Sequence, residues 1–106
     1  MSDALAEYEK LVQKLVATVS AESGQMFGKA CLKINGKAFM AQHKETVVFK
    51  LSGDAHTRAI ALADAVLWDP SGKGRPMKEW VALTATHGKK FPAMALAALE
   101  YVQSLA

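Results

Sequence analysis

The dipeptide Asn35-Gly36, which lies between two apolar segments, constrains the fold of this chain more than any other feature of its sequence. Asn-Gly favours a two-residue type I′ turn because both central residues of that turn need a positive φ angle. The turn predicts a β-hairpin of residues 30–34 and 37–41 in which Leu32 lies opposite Phe39. This register sends alternate side chains to opposite faces, with Leu32, Ile34, Phe39 and Ala41 toward the core and Cys31, Lys33, Ala38 and Met40 outward.

Apolar spacing and turn residues predict three helices and two or three further strands around this hairpin. Apolar residues at three- and four-residue intervals indicate amphipathic helices, and branched and aromatic runs indicate strands. Phe27, in the segment that leads into the first strand, and Val66 are expected in the core. The predicted order is a helix that ends near Ser20, the hairpin, a strand at 46–51, a helix at 55–65, a strand at 77–83 paired with residues 67–68, and a helix from about Gly88 to Leu105.

This order predicts an α+β fold in a single domain, residues 1–106. Strands joined by tight turns are antiparallel, so we expect a two-layer sandwich with an antiparallel sheet of four to five strands and helices packed on one face. The single cysteine, Cys31, excludes an internal disulfide and suits a reducing compartment. No apolar run approaches the ~20 residues of a membrane span, and the N-terminus lacks the bases of a signal peptide. We therefore expect a cytoplasmic protein with no membrane partner.

Basic side chains are concentrated in two blocks of the chain. Residues 23–51 carry five lysines against Glu45, and residues 70–90 carry five basic residues against Glu79. Such blocks are typical of a surface that binds nucleic acid or another polyanion, although solvated lysines on strand edges give the same pattern. The candidate anion-binding residues are Lys29, Lys33, Lys37, Lys50, Lys73, Arg75, Lys78, Lys89 and Lys90.

The segment Ser71-Gly72-Lys73-Gly74-Arg75 is the clearest candidate for an anion-binding loop. Its two glycines allow successive backbone amides to form a concave nest, and Lys73 and Arg75 add positive charge. A flexible connection between elements is the alternative interpretation. Because Trp68 and Trp80 flank the loop, a small-molecule pocket around Trp68, Arg75 and Trp80 is a further hypothesis, beside ordinary packing of both tryptophans in the core.

The outer face of the predicted sheet carries three apolar side chains, those of Cys31, Met40 and Val48, fringed by Lys33 and Lys50. Three apolar residues are too few for a second core. They predict a homodimer contact, a shallow groove with a basic rim, or scattered surface residues. A regulatory protein partner could use the same face.

The sequence contains no pattern of residues that predicts a catalytic or metal site. His43, His56 and His87 lack metal-ligand spacing, and Cys31 is the only cysteine that could join them. Residues 24–30 resemble a phosphate-binding loop but have the wrong spacing, no metal-binding hydroxyl and no helix after them. We expect no metal, no cofactor and no enzymatic activity.

Several short motifs are similar to those of a known family. Met26-Phe27-Gly28, the hairpin residues Gly36 and Phe39, and the strand at 47–51 resemble the N-terminal domain of the TfoX/Sxy competence-regulator family. The stretch 69–80, which reads Asp-Pro-Ser-Gly-Lys-Gly-Arg-Pro-Met-Lys-Glu-Trp, looks like small stand-alone TfoX-like or YjbR-like bacterial proteins. The resemblance runs over most of the chain. It implies a compact α+β sandwich, a bacterial cytoplasmic protein, and a link to DNA and regulation, and it supplies no catalytic residue.

These observations favour a small, non-enzymatic binding module for nucleic acid or another polyanion. The expected contacts are to phosphates, because no predicted helix is basic enough to read bases in a groove. Binding should therefore be weak, sensitive to salt and tolerant of sequence. The alternatives are a protein-interaction or homodimer module that uses the outer sheet face, and a small-molecule binder near Trp68, Arg75 and Trp80.

Overall fold

Residues 3–69, 74 and 76–105 are described by a computed structural model of this 106-residue chain. The elements alternate as the sequence predicts, in an α+β arrangement with one six-stranded antiparallel sheet in the strand order β1-β2-β3-β4-β6-β5. Their bounds are α1 Asp3–Val19, β1 Glu22–Met26, β2 Lys29–Ile34, β3 Lys37–His43, β4 Thr46–Lys50, α2 Gly53–Ile60, β5 Val66–Trp68, β6 Met77–Thr84, a 3₁₀ helix Ala85–Lys90, and α3 Phe91–Ser104.

The predicted fold class is confirmed, and the sheet has six strands rather than four to five. The additional strand is β1, which pairs with β2 through a two-residue turn at Phe27-Gly28. Both turn residues have positive φ, +55° and +74°, as a type I′ turn requires. The sequence did not predict this hairpin, because apolar and polar residues do not alternate in β1 and phenylalanine is unfavourable in a left-handed conformation.

Two further boundaries differ from the prediction. Helix α2 ends at Ile60, not Ala65, and Asp64 then takes a left-handed φ of +64° before β5 begins. Val66 consequently lies in β5 with its side chain 56% exposed, outside the core where it was expected. At the other end of the chain, a 3₁₀ turn occupies residues 85–90, so α3 starts at Phe91 with Pro92 in its first turn, where no backbone N–H is needed.

The predicted hairpin register holds only next to its turn. Asn35 and Gly36 both have positive φ, and Ile34 pairs with Lys37 as expected. A β-bulge then makes Phe39 an extra residue, so that Leu32 pairs with Met40 and Cys31 with Ala41. The predicted faces of Met40 and Ala41 were therefore wrong. Met40 is fully buried on the helix side of the sheet, and Ala41 belongs to the outer face.

The three helices pack on one face of the sheet and enclose the main core. Helix α1 contributes side chains at intervals of three and four residues, and α3 contributes a similar stripe. From the sheet come the inward-facing residues of β2, β3, β4 and β6, and Phe49 meets Phe91 with 5.4 Å between ring centroids. The buried stripe consists of Ala4, Tyr8, Leu11 and Leu15 in α1 and of Phe91, Ala95, Ala98, Leu99 and Val102 in α3.

The outer face carries a second buried cluster, contrary to the expectation that it had too few apolar residues for one. Trp68 of the edge strand β5 contacts Phe27, which follows β1, with ring centroids 6.1 Å apart. In a flat sheet, strands β2 and β5 would lie four strand spacings, or about 19 Å, apart. The sheet therefore curls, and its concave outer face encloses the cluster, which comprises Cys31, Ala41, Val48, Trp68, Trp80 and Ala82.

Met40 provides a test of the β2–β3 register, because the bulge places its side chain in the core under the helices. Truncating Met40, which has no exposed surface, to alanine should cost about 2–5 kcal/mol of unfolding free energy, because it leaves a cavity under the helices. Leu96→Ala is the control, since Leu96 is 49% exposed on α3 and alanine favours helices. Urea denaturation measures both. Equal and small effects in the two variants would place Met40 on the surface and contradict the bulge.

Candidate functional site

Three of the predicted anion-binding lysines lie on the outer face of the sheet. Lys29 and Lys33 stand two residues on either side of Cys31, and side chains two apart in a strand share a face. Lys50 follows Val48 by two residues, and its ammonium nitrogen lies 5.9 Å from the centroid of the Trp80 ring, within cation–π range. These three lysines thus border the concave outer face.

The stem of Lys33 lies across β1. A Cβ atom added at Gly24 would come within 3.2 Å of the Lys33 Cε. Gly24 therefore provides room for the end of the lysine side chain, including its ammonium nitrogen, to lie over β1. This arrangement holds Lys33 along the surface of the sheet and limits its freedom to swing away.

Of the remaining candidates, Lys37, Lys89 and Lys90 lie away from the outer face, whereas Lys78 precedes Trp80 by two residues in β6. Lys37 donates a hydrogen bond of 3.0 Å to the carbonyl oxygen of Leu105 at the end of α3, where a cation complements the helix dipole. Lys89 and Lys90 belong to the 3₁₀ turn before α3, and Lys78 is exposed on β6. Lys73 and Arg75 lie outside the described residues. The nine candidates do not form one described cluster.

Charge is divided between the two layers of the fold. Acidic residues outnumber basic ones in the helices, and lysines outnumber acidic residues in the strands on the N-terminal side of the sheet. Helices α1, α2 and α3 carry Lys10, Lys14 and Arg58 against Asp3, Glu7, Glu9, Asp54 and Glu100, whereas strands β1 to β4 carry Lys29, Lys33, Lys37 and Lys50 against Glu22.

Trp68 organises the aromatic groups of the concave face. Its indole N–H donates a 2.7 Å hydrogen bond to Nδ1 of His43. Its ring packs at 5.5 Å from Trp80 and at 6.0 Å from His43. Trp68 and Trp80 are 2% and 5% exposed, so both pack in a core, which is one of the two roles the sequence allowed for them. The hypothesis of a small-molecule pocket around them and Arg75 gains no support from this burial.

His43 is held as a neutral ring. Its Nδ1 accepts the tryptophan N–H, so the ring proton is on Nε2. Burial lowers the pKa of His43 below 6.5, and the positive charges of Lys29 and Lys44 lower it further. The two lysines therefore act on the same ring. They come from the β1–β2 and β3–β4 hairpins, whose turns lie at the same end of an antiparallel meander.

Phe27 is the functional candidate that the sequence interpretation missed. It was expected in the core, and the structure exposes 62% of it at the tip of the β1–β2 turn. Its left-handed backbone is unfavourable for a bulky side chain, and the ring makes an edge-to-face contact with Trp68. The available signal was Phe-Gly placed where a hairpin turn usually has Asn-Gly.

The three side chains predicted for a dimer contact are buried within the chain and do not share one face. Met40 lies in the helix-side core, and Cys31 and Val48 are 1% and 0% exposed within the concave face. Burial raises the pKa of the Cys31 thiol, which keeps it protonated, although Lys33 partly opposes this effect. Cys31 is therefore a small packing residue.

Two of the clefts on the helix side of the molecule are lined partly by α1. One of about 580 Å³ is lined by residues of α1, the β3–β4 turn and the end of β6, with Asp3, Glu7 and Glu45 among them. The other, of about 190 Å³, lies between α1 and strands β1 and β2. Neither is lined by Trp68 or Trp80. Within residues 3–69, 74 and 76–105, no group of three metal-ligating side chains is found.

None of the helices in the described part of the chain has the length and apolar character needed to cross a bilayer.

Stability should depend on pH through His43. The pKa of His43 in the folded protein is lower than its ordinary value of 6.5, so the unfolded chain binds the proton first. The contribution of His43 to the free energy of unfolding should therefore be constant above about pH 7.5 and decrease as the pH drops below 6.5. In His43→Asn, whose amide oxygen can still accept the Trp68 N–H without titrating, this decrease should be smaller. Urea denaturation at pH 7.5 and 5.5 measures it, and identical decreases in both proteins would contradict the assignment.

Comparison with known proteins assigns no family to this chain. No protein-family model, curated protein or solved structure matches it. The TfoX/Sxy resemblance stays a prediction from short motifs, and the functional proposal depends on the geometry of the outer face.

Proposed function

We propose that this chain is a small non-enzymatic binding module whose outer sheet face contacts the phosphates of a nucleic acid or another extended polyanion. The observation that supports the proposal is the shared placement of Lys29, Lys33 and Lys50 around the concave face. The helices, in which acidic residues outnumber basic ones, occupy the opposite layer. A polyanion on the outer face therefore meets the basic side of the molecule.

The dimensions of this face suit a contact with several phosphates. Lys29 and Lys33 are four residues apart in β2, which corresponds to about 13 Å along the strand. Lys50 lies two strands away, about 10 Å across the sheet. The three ammonium groups thus cover a patch and not a single point. They fit a chain of phosphates better than one isolated phosphate group.

The chemistry of these groups predicts how binding should depend on salt and sequence. Lysine contacts phosphate as a flexible point charge and carries no information about base identity. Three phosphate contacts predict a log–log slope of affinity against salt of about −2.7 on duplex DNA and about −2.1 on a single strand. The helices contain too few basic residues for a recognition helix, so binding should tolerate sequence.

Charge reversal on the outer face tests the proposal. The triple variant Lys29→Glu, Lys33→Glu, Lys50→Glu should lose DNA binding at 50 mM salt, because it replaces attraction to phosphates with repulsion. The matched control reverses Lys14, Lys89 and Lys90, which changes the net charge by the same amount away from this face. Fluorescence anisotropy of labelled oligonucleotides at 50 and 200 mM salt measures the affinities, and circular dichroism confirms folding of both variants.

The outcomes separate a site from a general effect of charge. A loss confined to the outer-face variant supports the proposal. Equal losses in both variants would mean that net charge alone governs binding, and the site would be wrong. An unmodified protein that binds no polyanion at 50 mM salt would overturn the proposed function.

A further inference from the structure

We propose that the ligand of this face is a single-stranded nucleic acid and that Phe27 stacks on one of its bases. The inference depends on the proposed function, because the lysines of the outer face supply the phosphate contacts. It adds a base contact that a duplex cannot offer, since the bases of a duplex are already stacked on both sides. Phe27 then distinguishes a nucleic acid from other polyanions.

The conformation of Phe27 is the first observation behind the proposal. A two-residue turn of this type favours Asn or Gly at its first position, and this chain places a phenylalanine there at φ +55°. The residue is 62% exposed, the largest value among the large apolar side chains described. The turn is therefore less favourable than it could be, and the apolar ring remains in water. Neither property benefits the fold, and strained residues of this kind concentrate at binding sites.

The second observation is that the Phe27 ring packs against Trp68, which limits the movement of the ring. It meets Trp68 at an interplanar angle of 70°. Trp68 is itself fixed by its hydrogen bond to His43 and by the Trp80 ring. A base that stacks on Phe27 consequently meets a ring whose position is already set, which lowers the entropic cost of binding.

The third observation is the positive charge beside Phe27. Lys29 follows it by two residues, and Lys44 lies in the neighbouring hairpin turn at the same end of the sheet. The positive charges of both lysines lower the pKa of His43, whose ring packs on Trp68. Glu45 in the same turn is the acidic neighbour. An exposed aromatic ring at the end of the sheet that also carries these lysines has the composition of a surface that binds single strands by stacking and phosphate contact.

The substitution Phe27→Asn distinguishes a ligand-binding ring from a packing one. Asparagine tolerates the left-handed backbone and forms the favoured Asn-Gly turn, so the melting temperature should stay the same or rise. Affinity for a labelled oligo(dT) should fall about 5- to 150-fold, the range expected for the loss of one stacked base. An abasic oligomer of the same length, which has the phosphates without the bases, should bind the wild-type protein and the variant equally.

Two other variants keep the test informative if Phe27→Asn fails to fold. Phe27→Leu preserves apolar bulk without an aromatic face and should bind oligo(dT) as weakly as the asparagine variant. Phe27→Tyr preserves the face and should bind as the wild type does. An oligo(rU) arm tests whether RNA single strands bind in the same way, which the proposal expects because stacking and phosphate contact are common to both.

The possible outcomes distinguish a failure of the stacking role from a failure of the proposed function. Wild-type binding of oligo(dT) no tighter than that of the abasic oligomer would overturn the stacking role and leave the polyanion function standing. A lower melting temperature in Phe27→Asn, with equal losses on both oligomers, would make Phe27 a packing residue for Trp68 and also overturn the inference. A dimer in sedimentation that Phe27→Asn abolishes would assign the ring to a second copy of the chain. No binding of either oligomer would overturn both proposals.

Discussion

The hydrogen bond from Trp68 to His43 fixes the part of the structure on which the outer face depends. Trp68 comes from a three-residue edge strand, yet it lies against groups from the opposite half of the sheet. An indole N–H needs a partner when it is buried, and the histidine provides one inside an otherwise apolar cluster. Because the contact joins strands that are not neighbours, it stabilises the curvature of the whole sheet. The concave face, its buried tryptophans and its basic border all follow from that curvature.

The sheet therefore separates two cores of unequal size. The larger core lies under the helices, and the smaller one lies within the concave face. The bulge at Phe39 decides how β3 contributes to each, since it sends both Phe39 and Met40 to the helix side and Ala41 to the other. A regular strand would have placed a methionine against Trp68 and Trp80, where a small residue is present instead. The extra residue in β3 thus adjusts the volume of both cores at once.

Sequence patterns within short segments predicted part of this fold. They did not predict the curvature of the sheet. The type I′ turn at Asn35-Gly36, helix α1 and the pairing of residues 67–68 with β6 are encoded within short segments, and the structure confirms them. Strand β1, the bulge and the second core depend on contacts between distant residues, which no periodicity records. The same division applies to the candidate site. Lys29, Lys33 and Lys50 were predicted from their charge. Phe27 was wrongly assigned to the core, because the turn that exposes its side chain was not predicted from the sequence.

Curvature also changes what the open edges of the sheet offer to other chains. An edge strand of a flat sheet presents a straight row of unpaired N–H and C=O groups, and such rows promote aggregation. Here β5 is three residues long and its register shifts between Leu67 and Trp68, so this edge is both short and irregular. A second molecule cannot extend such a strand far. The tryptophan that fills the concave face thus lies in an edge strand whose form also hinders polymerisation along this edge of the sheet.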